Sequence, residues 1–383
     1  MSVLVFPLIG YAITGSTALA GIATTAVFAG RIATRLPVGA LVDRWPRNRV
    51  LMLTNLVAGA AYASLGTAAL AHALTLTHLI AAGLASGVCD SFIRPAASAS
   101  IRTVVPASQR PVAYARLNAS GHAVQLVGPP AGGALFSVAH GLPFVVDAVS
   151  YVLAAACITQ VRTPLPAPAS DGTPRRVRHD IAAGLRYLWG ETAVRAMMIW
   201  GGVINLGVTM VLVAITLRLV RAGVHPAAIG AIDAIVSVAG LLGALVAAPI
   251  VRRCPTGPLT IVSGAAVALT VVPTAFTTNV AVIGAFLALG TFLMPANNSG
   301  ISAYIAARVP DAMQGRFNSA AGFVSEGLQP AGPVLAGGLI AGAGGAVATL
   351  TGAGVVALSL LPVLLSREVR GLGRPDEWQP AEA

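Results

Sequence analysis

Eleven long apolar stretches follow one another along the 383-residue chain, and they constrain the fold more than any other feature. A helix of about 20 apolar residues matches the hydrocarbon core of a bilayer. Only 10% of the residues are charged, whereas a soluble domain carries roughly a quarter. We therefore expect an all-α integral membrane protein. The predicted spans are 18–42, 50–71, 76–101, 114–138, 142–161, 194–219, 226–251, 258–277, 279–305, 317–342 and 345–366.

The basic residues predict how these spans are oriented. All 24 are arginine, and 19 of them fall in the loops and tail on one side of the predicted topology, against two on the other side. The arginine-rich side is expected to be cytoplasmic. The net charge of +11 is thus explained by membrane orientation, and we expect no nucleic-acid partner. The Arg-, Ala- and Gly-rich composition indicates a bacterial protein, so we expect a multi-pass plasma-membrane protein with both termini cytoplasmic in its complete form.

Several kinds of chemistry are excluded. The chain has no lysine, which removes a P-loop and Schiff-base catalysis. Its three cysteines lie far apart, and its six histidines show no metal-ligand spacing. We expect no enzyme activity, metal or cofactor.

The two halves of the chain repeat each other in sequence. Four short matches recur in the same order at offsets of 200 to 204 residues, which is typical of transporters built from duplicated bundles. The pairs are Pro95-Ala96 with Pro295-Ala296, Val105-Pro106 with Val309-Pro310, Arg116-Leu117-Asn118 with Arg316-Phe317-Asn318, and Gly128-Pro129 with Gly332-Pro333. The repeat predicts an N-terminal bundle over 1–161, a linker with an amphipathic helix over 162–193, a C-terminal bundle over 194–366 and a cytoplasmic tail over 367–383.

Three motifs carry a resemblance to a known family. A loop motif comprises Gly39, Asp43, Arg44, Arg47 and Arg49, and a glycine–proline motif comprises Gly128, Pro129, Gly132 and Gly133. The loop motif resembles the G-x-L-x-D-R-x-x-R-x-R signature of the major facilitator superfamily. The glycine–proline motif resembles the G-P-x-x-G-G antiporter motif of that superfamily's drug exporters, and we call it the antiporter motif. The segment 180–188 resembles the linker helix of the enterobactin-exporter and macrolide-efflux branch.

The resemblance implies two six-helix bundles related by pseudo-two-fold symmetry, with alternating access to a cavity between them. It also implies that Asp43 and its arginines latch the halves together at the cytoplasmic face; the alternative is an ordinary positive-inside loop. The glycine–proline motif is implied to bias transport towards export; the alternative is a helix defect tolerated by its neighbours. Ser2–Thr14 is apolar but too short to span, so we expect a first helix that is truncated at the N-terminus.

A charged residue within a predicted span is costly and therefore a functional candidate. Asp90 and Arg31 lie at similar depths, roughly 20 Å from the outer ends of their helices. The resemblance places Asp90 near substrate, so we predict it to carry the proton, with Arg31 or Arg94 as its partner. A static structural ion pair is the alternative.

Other polar residues within spans predict further roles. Arg35 and Glu326 lie roughly 10–14 Å from the cytoplasmic ends of their helices and are predicted to bridge the halves as an inner gate, unless each has a local partner. Asn297 and Asn298 are predicted either to line the cavity or to satisfy carbonyls freed by Pro295.

Together these features predict a monomeric secondary transporter that exports a drug-, antibiotic- or siderophore-like molecule by proton antiport. Its partners would be that small molecule, protons and the lipid bilayer, and the proton gradient would replace a cofactor. Two alternatives remain open: an uptake facilitator on the same fold, and a truncated, non-transporting remnant or membrane interaction protein.

Overall fold

The computed structural model describes residues 2–42, 45–161, 177–310 and 313–378, and every regular element in these ranges is helical. Nine helices in this part of the chain are long and apolar enough to cross a membrane, and two shorter apolar helices, Leu4–Thr14 and Leu126–Val138, accompany them. The expected all-α membrane architecture is therefore confirmed.

The chain forms two compact units. Unit 1 comprises Met1–Val177 and His225–Gly230, and unit 2 comprises Arg178–Val224 and Ala231–Ala383. Residues 178–190 of the predicted linker thus group with unit 2. The helices of the N-terminal half are α1 (Ser2–Thr14), α2 (Thr17–Val42), α3 (Arg47–Leu70), α4 (Leu76–Val104), α5 (Arg110–Val138) and α6 (Leu142–Thr159).

Two glycines set the packing of α2 against α4. A Cβ at Gly30 would fall on the carbonyl oxygen of Leu84, and a Cβ at Gly87 would fall on the carbonyl oxygen of Val27. Small residues permit such close backbone approach between helices in lipid, where packing rather than the hydrophobic effect drives association. Gly83 and Gly87 are spaced by one turn of α4, so the crossing has the small-xxx-small pattern.

The remaining helices begin with the linker helix, and four predicted spans are interrupted among them. Breaks occur at Val246, at Phe292–Leu293, at residues 327–330 and at Leu360. The helices are α7 (Val177–Gly190), α8 (Thr192–Arg221), α9 (Pro226–Leu245), α10 (Ala247–Arg253), α11 (Thr256–Thr274), α12 (Val280–Thr291), α13 (Met294–Arg308), α14 (Gln314–Glu326), α15 (Ala331–Ala343), α16 (Gly345–Ser359), α17 (Leu361–Leu365) and α18 (Arg367–Arg370).

Arg218 joins the end of α8 to the end of α11. Its guanidinium donates hydrogen bonds to the carbonyl oxygens of Thr274, Ala275 and Thr277, at 2.5, 2.6 and 2.9 Å. The last carbonyls of a helix have no partner within the helix, and a cation is favoured beside them. This contact gives a structural reason for one of the two arginines on the arginine-poor side.

The linker helix α7 packs onto α14 and the end of α13. A Cβ at Gly184 would lie 2.5 Å from the carbonyl oxygen of Arg316, and the Tyr187 ring meets Phe317 edge-on at 6.0 Å. The Tyr187 hydroxyl donates to the carbonyl oxygen of Arg308 at 2.8 Å. Burial raises the pKa of Tyr187, which keeps the phenol protonated as a donor. We call the part of unit 2 around Tyr187, Tyr304 and Arg308 the linker end.

Candidate functional site

The crossing of α2 and α4 brings Arg31 and Asp90 together. Arg31 follows Gly30 directly, and Asp90 lies one turn after Gly87, so both side chains leave the backbone beside the close contact. Arg31 Nη2 lies 3.4 Å from Asp90 Oδ2, and the two side chains are 31% and 25% exposed. These two groups form an ion pair. Its position within two spanning helices makes the carboxylate a group that can hold or release a proton inside the membrane.

Tyr151, on α6, is a partner of Asp90 that the sequence analysis missed. Its hydroxyl donates to Asp90 Oδ1 at 3.1 Å, so each carboxylate oxygen has a different donor. A tyrosine hydroxyl in an apolar span needs a hydrogen-bond partner, and that requirement was the available signal. The sequence could not reveal the partner, because it does not show which residue of another helix a side chain meets.

Aromatic rings extend from Tyr151 away from the ion pair. Tyr151 stacks on Tyr62 at 5.5 Å, Tyr62 stacks on Phe144 at 6.2 Å, and Phe6 meets Phe144 edge-on at 5.9 Å. Rigid aromatic packing of this kind fixes the Tyr151 ring and therefore the direction of its hydroxyl. The stack includes residues from α1, α3 and α6, so the carboxylate is tied to most of unit 1.

A second polar contact lies one turn further along the same helix pair. The hydroxyls of Thr34 and Ser91 are 2.8 Å apart. Arg94 also lies on α4, one turn beyond Asp90, but its side chain is outside the described part of the structure. The structure therefore brings Asp90 together with Arg31, while the alternative pairing with Arg94 stays a prediction. Arg35 lies on α2 in unit 1 and Glu326 ends α14 in unit 2; their bridge also stays a prediction.

The loop motif is described only in part. Asp43 and Arg44 lie outside the described residues, and Gly39 is within α2. Arg47 Nη1 donates to Thr103 Oγ1 at 2.8 Å and to the carbonyl oxygen of Ala99 at 3.3 Å, near the end of α4. Arg49 is exposed. The motif thus supplies a cation to a helix C-terminus, where the macrodipole favours it.

The antiporter motif lies in α5, which continues through Pro129 and Pro130 to Val138 without interruption. Gly128, Gly132 and Gly133 are buried. Within unit 1 the motif packs against the first turn of α9: a Cβ at Gly133 would fall on the carbonyl oxygen of Pro226, and one at Gly230 would lie 2.6 Å from that of Pro129. The glycines on both segments therefore allow the two backbones to touch.

The two asparagines have different surroundings. Asn297 is completely buried in unit 2, with its Oδ1 2.7 Å from Thr260 Oγ1, whereas Asn298 is exposed. The carbonyl oxygen of Pro295 is bonded by the Ser299 hydroxyl at 2.8 Å. Their predicted role at a cavity stays a prediction.

Solved structures share this fold. The chain superposes on a nucleoside transporter, NupG, with a TM-score of 0.70 and 12% identity, covering 95% of this chain and 97% of the other. A bacterial homologue of the iron transporter ferroportin, in the inward-facing state, gives 0.67 at 17% identity over 95% and 94%. A POT family transporter in complex with 5-aminolevulinic acid gives 0.72 at 13% identity over 96% and 92%. At these identities the likeness concerns the fold alone.

The apolar helices and these structural similarities define a multi-pass membrane protein with a transporter fold. The family model of the Major Facilitator Superfamily matches residues 1–326. The chain belongs to the Major Facilitator Superfamily, and it is a membrane transporter of that type. A comparison with curated protein sequences finds no match.

Proposed function

We propose that the protein exports a drug-, antibiotic- or siderophore-like small molecule in exchange for protons, by alternating access. The observation that carries the proposal is Asp90, a carboxylate inside a spanning helix with one oxygen facing Arg31 and the other accepting from Tyr151. An unpaired carboxylate in such a place costs free energy, so a charged residue inside the membrane is a candidate for a role in transport. The direction rests on the resemblance of Gly128–Gly133 to the antiporter motif.

In this proposal Asp90 binds a proton when its contact with Arg31 loosens and releases it when the contact re-forms. Arg31 supplies the competing positive charge, and an opposite charge within about 4–6 Å favours the ionised carboxylate. Tyr151 orients the carboxylate during both steps. Arg35 and Glu326 act as the inner gate, the loop motif acts as the latch, and a monomer in the bacterial plasma membrane is the working unit.

Everted membrane vesicles test the proposal. Respiration acidifies their interior, and the collapse of that gradient on addition of ethidium or erythromycin reports exchange of either probe for protons. Vesicles with the wild-type chain should respond to at least one probe and accumulate it. Asp90→Asn should reduce both signals to the level of vesicles without the protein, while its abundance in the membrane is unchanged.

Asp233→Asn is the matched control, because Asp233 is also a carboxylate within a spanning helix but belongs to unit 2, whereas Asp90 belongs to unit 1. It should leave both signals unchanged. Full exchange by Asp90→Asn would remove the assignment of the proton site, and equal loss in both variants would remove its specificity. Uptake of the probe by right-side-out vesicles, without accumulation in everted ones, would reverse the direction.

A further inference from the structure

The segment after the last apolar helix folds back onto unit 2. Residues 366–378, which we call the C-terminal clasp, contain α18 and a short 3₁₀ turn, Pro375–Glu377. The Ser366 hydroxyl caps α18 by accepting from the Val369 amide at 3.3 Å, and Val369 itself is completely buried. A polar tail that buries an apolar side chain and caps its own helix is a folded element of the protein.

The clasp supplies hydrogen-bond acceptors to the start of α11. The amides of Thr256 and Gly257 donate to the carbonyl oxygens of Gly373 and Leu372, both at 3.1 Å. The first amides of a helix have no acceptor within the helix, so these two carbonyls take the place of a capping side chain. Gly257 is needed for this approach, because a Cβ there would fall on the carbonyl oxygen of Val369.

The far end of the clasp contacts α13. The Trp378 ring meets Tyr304 edge-on at 5.6 Å, and its Nε1 donates to the carbonyl oxygen of Gly373 at 3.2 Å. Tyr304 has a second partner in Arg308, whose guanidinium carbon lies 5.9 Å from the centre of the Tyr304 ring. One short segment therefore holds the start of α11 and the end of α13 through backbone hydrogen bonds and ring packing.

A polar line continues from the clasp into unit 2. The Thr260 hydroxyl lies 2.9 Å from the carbonyl oxygen of Thr256 and 2.7 Å from Asn297 Oδ1. Asn297 follows the break between α12 and α13, and it is completely buried. Its Nδ2 and Thr256 Oγ1 are buried without a partner among the described atoms, which makes this junction sensitive to small displacements.

We propose that the C-terminal clasp is a conformational strap that holds α11 and α13 together at the linker end of unit 2. Its detachment uncaps α11, releases the end of α13 and lowers transport. The proposal does not depend on the transported molecule, on its direction or on Asp90. It assigns a working part to a segment whose sequence predicts only a cytoplasmic tail.

Hydrogen exchange of the purified full-length protein measures the contact directly. Pro255 and Pro258 have no amide, so residues 255–260 contain four amides, of which two donate to the clasp. A chain ending at Leu365 should exchange the amides of Thr256 and Gly257 about 10-fold faster or more, since each is then open to water. A chain ending at Trp378 retains the clasp and should exchange as the full chain does.

Two point variants keep the test informative if the shortened chain does not fold. Gly257→Ala should displace the clasp and speed exchange in 255–260 and at the end of α13. Trp378→Ala should speed exchange mainly at the end of α13. Gly338→Ala, where nothing lies within 4 Å of the added methyl, is the matched control and should change neither.

Transport of the probe that the wild type moves, ethidium or erythromycin, should fall in the Gly257→Ala and Trp378→Ala variants while their membrane abundance is unchanged. The thermal unfolding temperature of both variants should fall as well. Protection of Thr256 and Gly257 in the chain ending at Leu365 would overturn the proposal. Faster exchange at Thr256 and Gly257 would also overturn it if the exchange rates of α13 and the thermal unfolding temperature stayed at their wild-type values.

Discussion

Asp90 has two donors, Arg31 and Tyr151, and Tyr151 is the one that can be removed without changing charge. Tyr151→Phe deletes a hydrogen bond to a charged group, worth about 1.5–3 kcal/mol. We expect the rate of proton-coupled exchange to fall about 10-fold or more, because each 1.4 kcal/mol corresponds to a factor of ten. Dye exchange in everted vesicles, measured across a range of external pH, should show a displaced profile as well as a lower rate.

Tyr62→Phe is the matched control for this variant, since Tyr62 is stacked on the Tyr151 ring and the change leaves the Tyr151 hydroxyl, the donor to Asp90, in place. It should retain most of the exchange rate and the wild-type pH profile. If both variants behaved alike, the Tyr151 hydroxyl would matter only through packing, and its proposed role at Asp90 would be withdrawn.

Gly87 is predicted to be intolerant of any side chain. Its Cβ would enter the backbone of α2 at Val27, so Gly87→Ala must push the two helices apart. Overpacking of this kind costs about 1–3 kcal/mol, and it should also lengthen the Arg31–Asp90 contact. The thermal unfolding temperature in detergent should be lower for Gly87→Ala than for the wild type. Gly121→Ala, which has open space around the added methyl, should match the wild type.

The residues of the site differ in how far the sequence could predict them. Depth along an apolar run is readable from sequence, so Asp90 and Arg31 could be placed at similar depths before the helices were packed. The residue of another helix that a side chain meets is not readable from sequence, which is why the contact of Tyr151 with Asp90 was missed. The small-xxx-small pattern of Gly83 and Gly87 indicates a close helix contact on α4, but it does not show that the contact is with Gly30 and its neighbours on α2.

At the scale of helices, Arg218 is predicted to stabilise the arginine-poor end of unit 2. Its side chain satisfies three carbonyls at and beyond the end of α11. Removing it leaves these acceptors without their donors, at a cost of about 1–3 kcal/mol for a buried group and more for a charged one. Arg218→Ala should therefore lower the thermal unfolding temperature, and Arg218→Lys should recover part of the loss.

Arg221 provides the comparison, because it is on the same end of α8 and makes one long hydrogen bond, 3.5 Å, to the carbonyl oxygen of Ile340. Arg221→Ala should cost less than Arg218→Ala. Equal unfolding temperatures for the two alanine variants would show that the three carbonyl contacts of Arg218 do not stabilise the helix end.

Helix existence was more predictable than helix continuity. Lipid requires long apolar segments with internally bonded backbones, so composition alone marks where helices lie. The breaks at residues 327–330 and at Phe292–Leu293 adjoin Gly327, Pro330 and Pro295, which are helix-disfavouring residues. Such residues do not predict a break by themselves, because α5 continues without interruption through Pro129 and Pro130. In a membrane, neighbouring helices can satisfy the backbone groups that a proline frees.

At the scale of the whole molecule, the arginine distribution predicts which ends of the helices face the cytoplasm. Cys254 follows Arg252 and Arg253 in an arginine-rich loop, and Ala73 lies in the arginine-free turn between α3 and α4. Both positions are exposed. Since 19 arginines are predicted on one side and two on the other, the positive-inside rule places Cys254 inside and Ala73 outside.

Labelling of intact cells with a membrane-impermeant maleimide can check this orientation. Cys89 and Cys157 are first replaced by alanine, which leaves Cys254 as the sole thiol; a second version carries Cys254→Ala with Ala73→Cys. The Ala73→Cys protein should react in intact cells, and the Cys254 protein should react only after the membrane is opened. The reverse pattern would turn the whole molecule over, and because the clasp and the linker helix belong to the same end of unit 2, it would place both outside the cell.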